Sequence, residues 1–193
     1  MLVSHTRFLD MPIMGLQTGK ELAISDTPVI DKAALEIVAY KVDGPSLDIH
    51  PSYLRMEDIR EISDVGIIID SSDEFVARSD VISLSRLIDE DFSPVSMSVV
   101  DDTGSKLGKV QDIIIDTKTF RIEQLSVKLP FLQSFKNTEL LIHRDQIVKI
   151  EDGQIVVASP SVTATESAPS PAYKNPFRSP PAPQPETIDQ TRQ

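Results

Sequence analysis

Residues 103–116 read TGSKLGKVQDIIID, and this stretch indicates the fold. It begins in a turn, because Asp101 and Asp102 can cap their own backbone and Gly104 accepts a positive φ. Residues 107–115 then read as a strand that ends in β-branched side chains. Gly108 lies inside this strand, where a glycine commonly marks a β-bulge or the bend of a barrel. The stretch therefore predicts a tight turn followed by a bulged β-strand.

The same pattern occurs earlier in the chain. TGKEL at residues 18–22 corresponds to TGSKL at residues 103–107, an offset of 85 residues. Further along, the offset becomes 88, and residues 67–69 correspond to residues 155–157. The three added residues fall in the loop near residues 130–140. We interpret the pattern as two diverged copies of one unit; the alternative is a chance likeness between two β-rich segments.

Each copy is predicted to consist of short strands. Residues 36–42 and 121–128 alternate or nearly alternate apolar and polar side chains, as in a sheet with one buried face. Helical signals are limited to one turn within residues 51–59 and a short helix or extended link within residues 79–87. The pattern favours a small sandwich or barrel per copy. We place the first copy at residues 1–84, the second at 85–159 and a disordered proline-rich tail at 160–193.

Residues 103–116, together with the Ile-containing turn and β-branched strand of residues 146–157, resemble the PRC-barrel family. The first copy departs from the family pattern at residues 23–25, which read AIS instead of Gly-Lys-Val. The resemblance implies two small PRC-barrel-like β-barrels in tandem, in a mainly β protein. Members of this family include the cytoplasmic domain of the reaction-centre H subunit and the C-terminal domain of a ribosome-maturation factor. Their common theme is protein–protein binding, and the resemblance transfers no catalytic residue.

Charge and composition exclude several classes of function. The formal net charge is −11, and the charges within residues 160–193 cancel, so the first 159 residues are strongly acidic. Such a body repels phosphate backbones and anionic membrane surfaces, so direct nucleic-acid binding and docking on an anionic membrane are not expected. Membrane insertion is not expected either, because no apolar stretch is long enough to span a bilayer. The chain contains no cysteine, which excludes disulfides and thiolate chemistry. Neither a signal peptide nor a transmembrane segment is apparent, and we expect a cytoplasmic protein.

Residue types that carry chemistry occur, but without the spacing that catalysis or metal binding requires. His5, His50 and His143 are far apart, and we expect solvent-facing or partly packed imidazoles. The acidic runs at residues 89–91 and 101–102 are expected to be solvated. Residues 104–109 differ from a phosphate-binding loop in their glycine spacing and are predicted to lead into a strand. We therefore predict no catalytic residue, no metal ligand and no cofactor.

Two segments are candidates for protein binding. Phe131, Leu132 and Phe135 lie in the loop where the second copy is longer, and exposed side chains there would form an interaction patch. The alternative is that they fold over an open barrel end and complete the core. Tyr173, Phe177 and Arg178 form an aromatic and basic island in the tail, which is either a docking motif or a plain spacer.

The sequence favours a non-catalytic protein-binding or scaffold module. The second hypothesis is an accessory protein of ribosome or RNA maturation, which acts through a basic ribosomal protein because an acidic body suits such a partner. A third class, a small-ligand carrier or an enzyme, lacks a supporting arrangement of residues. No oligomeric state is predicted.

Deletion of residues 160–193 is expected to leave thermal stability nearly unchanged, since this segment cannot bury enough apolar surface to offset its ordering entropy. Scanning calorimetry of the full chain and of residues 1–159 should give melting temperatures within about 2 °C of each other. A clearly lower value for the shorter chain would contradict the interpretation.

Overall fold

The protein contains two β-sheets. Each includes one of the two longest strands, whose apolar side chains alternate along the strand. The computed structural model describes residues 1–45, 47–129, 139–151 and 153–159. Strands of the first sheet are β2 (Pro12–Gly15), β3 (Lys20–Asp31), β4 (Glu36–Asp43), β5 (Ser52–Arg55), β6 (Glu61–Ser63), β7 (Gly66–Ile69) and β8 (Phe75–Ala77). Strands of the second sheet are β1 (Leu2–Ser4), β9 (Ser98–Asp101), β10 (Lys106–Asp116), β11 (Ile122–Lys128), β12 (Glu139–His143), β13 (Ile147–Glu151) and β14 (Gln154–Val157).

Six strands follow the same order in the two sheets, and β8 of the first sheet has no counterpart on the path of the second. The first runs β6-β7-β2-β3-β4-β5-β8, and the second runs β13-β14-β9-β10-β11-β12, with β1 paired to β10 off this path. Each sheet is antiparallel except for one parallel pair, β2 with β7 and β9 with β14. The prediction of a mainly β protein is therefore confirmed.

Cross-strand register follows the offsets found in the sequence. Residues that pair with each other in the first sheet correspond to residues that pair with each other in the second. The offset between corresponding residues is 85 on β3 and β4 and 88 on β5. The matched pairs are Val29–Ala39 with Ile114–Gln124, and Lys41–Tyr53 with Ser126–Leu141. A one-residue slip in either sheet would destroy this correspondence, because it moves every side chain to the other face.

The turns after β3 and β10 bind each other reciprocally. The backbone N–H of Ile37 donates to the carbonyl oxygen of Phe120 at 3.0 Å, and that of Ile122 donates to Leu35 at 2.8 Å. Leu35 and Phe120 occupy equivalent positions, and both have a left-handed backbone, with φ of 50° and 56°. Bulky residues seldom adopt this region. The two sheets are therefore joined through one matched pair of hydrogen bonds.

The first residues of the chain pair with the second sheet. β1 is antiparallel to the end of β10, in a register that places Leu2 opposite Asp116. The backbone N–H of Thr117 donates to the carbonyl oxygen of Met1 at 2.9 Å. Although residues 2–4 belong by sequence to the predicted first copy, they extend the sheet of the second.

A continuous core lies between the sheets. It contains Ile37 and Leu54 from the first sheet and Ile113, Leu125 and Ile155 from the second, all with no exposed surface. Burial of side chains of this size contributes about 1.5–3 kcal/mol each to folding before entropy is counted. The two sheets therefore share one hydrophobic core.

One α-helix, α1 (Ile82–Glu90), connects the last strand of the first sheet with β9. Leu84 and Leu87 face inward, three residues apart, as the helical repeat requires. The predicted boundary near Leu84 falls inside this helix. Short 3-10 helices lie at His5–Phe8, Met56–Asp58, Ser72–Glu74, Arg78–Asp80 and Arg144–Gln146.

The predicted turn before β10 is confirmed. Asp101 Oδ1 accepts hydrogen bonds from the backbone N–H groups of Thr103 at 3.0 Å and Ser105 at 2.8 Å. The hydrogen bond from the Thr103 hydroxyl and those from the backbone lower the pKa of the Asp101 carboxyl, because they stabilise its charged form. Gly104 completes the turn with φ of 88°.

The bulge predicted at Gly108 is also confirmed. The register between β9 and β10 shifts between Lys106 and Gly108. A Cβ atom at Gly108 would collide with the carbonyl oxygen of Lys128 on β11 and would lie 2.9 Å from Val127 Cγ1. Glycine is therefore required here because two strands approach each other closely.

Gly108→Ala is expected to lower the free energy of unfolding by about 2–4 kcal/mol, since the backbone of β11 must move to admit the methyl group. The matched control is Gly104→Asn, which faces open space and whose positive φ asparagine tolerates. We expect the control to change stability by less than about 1 kcal/mol. Urea denaturation of both variants measures the difference, and equal losses would contradict this account of the bulge.

Candidate functional site

A cleft opens where three segments of the chain meet. Its walls are the N-terminal residues 1–8, residues 56–64 around β6, and residues 117–120 in the turn after β10. Its volume is about 610 Å³. We call it the junction cleft, because the pairing of β1 with β10 brings segments of both sheets to its rim.

The floor of the junction cleft is apolar. Phe8 is almost completely buried, and Val3, Ile59, Ile62 and Phe120 are partly buried and pack against the shared core. Because these side chains are supported from below by the core, an apolar group that enters the cleft meets a rigid surface. Concave apolar surfaces with a few polar groups are typical of binding sites.

The rim of the junction cleft is charged with both signs. The Arg7 guanidinium forms an ion pair with Asp64, whose side chain is almost fully exposed. Arg60 binds Asp70 with two hydrogen bonds, one of them 2.6 Å from Arg60 Nη2 to Asp70 Oδ2. The hydrogen bond from Arg60 holds the pKa of the Asp70 carboxyl below its usual range. These exposed pairs contribute little to stability and remain available to a partner.

A partly buried polar cluster surrounds Asp112. His5 Nδ1 is 2.7 Å from Asp112 Oδ1, and the Ser4 hydroxyl donates to the other oxygen of Asp112. The ring of Phe8 stacks on Tyr40, with 6.2 Å between centroids. The Tyr40 hydroxyl has no hydrogen-bond partner among the described residues. Burial raises the pKa of Tyr40, and the charge of Asp112 acts in the same direction.

The histidines occupy three different settings. His5 is buried against Asp112, although the sequence suggested a solvent-facing or partly packed ring. His50 is exposed, and half-exposed His143 lies 3.8 Å from Glu123 and 3.3 Å from Asp145. Over the residues that the structure describes, no group of three or more histidine or carboxylate side chains is placed to hold a metal ion.

The other polar motifs lie where the sequence places them. Asp89 and Glu90 end α1 and pair with Arg78 and Arg86. The glycine- and lysine-containing segment at residues 104–109 leads into strand β10, which begins at Lys106, as predicted.

The predicted binding residues Phe131, Leu132, Phe135, Tyr173, Phe177 and Arg178 lie outside the described residues, so their roles remain predictions. No sequence motif indicates the junction cleft. The available signal was the alignment of Leu35 with Phe120 between the copies, but it does not show that the turns meet. The cleft depends on the path of residues 1–8, which no local pattern specifies.

Together, these features define a mainly β protein with two like-ordered sheets, one shared core and, at their junction, a cleft with an apolar floor and a charged rim. Comparison with protein families finds a PRC-barrel domain at residues 89–163, a stretch that includes β9 to β14. The PRC-barrel domain is typically a non-catalytic module. No curated protein matches the chain. Within the described residues, no helix has the length and apolar character needed to cross a bilayer.

Tyr40→Phe is expected to raise the free energy of unfolding by roughly 1 kcal/mol, because it removes a buried hydroxyl that lacks a partner. Folding raises the pKa of Tyr40. The wild type therefore keeps its full free energy of unfolding below about pH 10 and loses part of it as the pH rises toward the pKa of Tyr40 in the folded protein. The advantage of the variant over the wild type should therefore grow between about pH 9 and pH 11.

Urea denaturation at both pH values measures this effect, with Tyr53→Phe as the control in the same sheet. A variant that is less stable than the wild type at pH 9 would show that the Tyr40 hydroxyl makes a favourable hydrogen bond.

Proposed function

We propose that this chain is a non-catalytic protein-binding module that holds a segment of a basic partner protein in the junction cleft. The apolar floor inside a charged rim is the observation that carries the proposal. An apolar side chain of the partner would fill the floor between Phe8 and Phe120. The rim carboxylates of Glu61 and Asp64 would meet its basic groups, whereas Arg7, Arg60 and Lys118 on the same rim would meet its carboxylates.

The charge of the protein supports a basic partner. The net charge is −11, and the tail contributes nothing to it. A body of this charge attracts a cationic protein and speeds the encounter, whereas the apolar floor retains the partner after contact. Added salt should therefore slow association more than it speeds release.

We also infer that residues 1–84 and 85–159 are tandem PRC-barrel copies followed by a tail at residues 160–193. The equal strand order, the matched cross-strand pairs and the reciprocal turn contacts support this arrangement. The family match in the second half supports the identity of that copy.

A second candidate is an accessory role in ribosome or RNA maturation, in the cytoplasm, through a basic ribosomal protein. The acidic charge favours such a partner, and the family resemblance suggests the process. The predicted segments at Phe131 to Phe135 and Tyr173 to Arg178 would then supply additional contacts.

Phe120→Asn is expected to reduce retention of a basic partner by about tenfold, because it removes an aromatic wall of the cleft. Asparagine tolerates the left-handed backbone at this position, so the fold should persist. The control is Ile82→Ser, which changes an apolar side chain that is 89% exposed on α1. Affinity capture from native lysate, followed by mass spectrometry and repeated with the purified partner, measures retention.

Equal retention by Phe120→Asn and the wild type would overturn the cleft as the contact. Loss with the Phe131→Ser/Phe135→Ser variant alone would assign the contact to the predicted loop. Enrichment of a ribosomal protein would favour the second candidate, and failure to retain any basic protein would contradict both.

A further inference from the structure

Helix α1 covers the outer face of the first sheet. Leu84 and Leu87 pack against Val29, Ala39 and Tyr53, which are all at least nine-tenths buried. These three sheet residues belong to β3, β4 and β5, so the helix crosses the centre of the sheet. The first sheet is thus buried on both faces, by the shared core on one side and by α1 on the other.

The equivalent face of the second sheet carries no helix in the described part of the chain. The residues that correspond to Val29, Ala39 and Tyr53 are Ile114, Gln124 and Leu141, by the same cross-strand pairs. Ile114 and Gln124 are partly buried, and Leu141 is 51% exposed. We call this surface, formed by Ile114, Gln124 and Leu141 around the buried Ser126, the open face.

Within the described residues, the two halves differ after the equivalent strands β7 and β14. In the first half, the residues that follow β7 form β8 and α1. In the second half, residues 158–159, which are the described residues after β14, form no strand or helix. Among the described residues, no helix takes the place of α1 on the second sheet, and Leu141 is exposed there.

Carboxylates border the open face. The Ser126 hydroxyl donates to Glu139 Oε1 at 2.5 Å, which places this carboxylate beside Leu141. At the opposite border, Glu123 lies near His143, which is paired in register with Gln124. An occupant with basic groups around an apolar stripe would complement both borders.

We propose that the open face binds an amphipathic helix of a partner protein, with leucine-like side chains against Ile114 and Leu141 and basic residues toward Glu123 and Glu139. The helix would cross the second sheet as α1 crosses the first. This is a second interaction surface, separate from the junction cleft, and it does not depend on the function proposed for that cleft.

A peptide derived from α1 can test the proposal. The probe has the sequence of residues 81–90 with Ser85→Lys, Asp89→Lys and Glu90→Lys, and a hydrocarbon staple between positions 82 and 86 keeps it helical. Ile82 and Arg86 are exposed in the protein, so the staple leaves the leucine face free. The matched control peptide carries Leu84→Ser and Leu87→Ser.

Titration of the full chain, followed by amide chemical shifts, is expected to move the signals of Ile114, Gln124 and Leu141. Leu141→Ser should weaken binding of the probe at least about tenfold, measured by fluorescence anisotropy. Val148→Ser, at an exposed position on β13 of the same sheet, should change the affinity by less than about twofold. The control peptide should bind the wild-type protein at least about tenfold more weakly than the probe does.

The proposal is overturned if the probe does not bind, or if Leu141→Ser binds it as well as the wild type does. Shifts centred on Tyr53 would mean that the probe displaces α1, and they also exclude the open face. Sedimentation that shows a dimer, lost in Leu141→Ser, would assign this face to a second copy of the chain instead. None of these outcomes affects the cleft, which is tested separately by Phe120→Asn.

Discussion

Two backbone hydrogen bonds, exchanged between the turn after β3 and the turn after β10, set the arrangement on which the rest of the structure depends. Leu35 and Phe120 supply the accepting carbonyls, and both adopt a left-handed conformation. These hydrogen bonds hold the turn between β3 and β4 against the turn between β10 and β11, and the inner faces of the two sheets enclose a single core. Arg144 reinforces this junction, since its guanidinium donates to Ala34 of the first half and Ile122 of the second.

The binding surfaces arise where the two halves differ. Residues 2–4 pair with β10 of the second sheet, whereas α1 covers the outer face of the first. The first difference creates the junction cleft beside Phe120, and the second leaves Leu141 exposed. In a fully symmetric pair of copies, both faces would be covered or both would be open. The differences between the halves therefore create the two surfaces that we propose as binding sites, the junction cleft and the open face.

Electrostatics and burial have separate roles in this protein. The negative charge is spread over exposed side chains, where it contributes little to stability but acts over the distance at which partners first meet. The Tyr40 hydroxyl is buried in the core and the Asp112 side chain is mostly buried beside His5, and there hydrogen bonds and desolvation have much larger effects. His5 connects the polar cluster at Asp112 with the junction cleft. Its ring binds Asp112, and its backbone belongs to the short helix that leads to Phe8 in the cleft.

The sequence by itself determined the local elements: the turn at Asp101, the bulge at Gly108 and the strands with alternating apolar residues. These depend on φ preferences and on side chains a few residues apart, so the pattern of neighbours was sufficient. The repeated offset also indicated which strands would correspond. Only the tertiary structure decided that β1 joins the second sheet, that His5 meets Asp112 and that the junction cleft forms. Those contacts join residues about one hundred positions apart, and their free energy comes from shared burial that no local segment specifies.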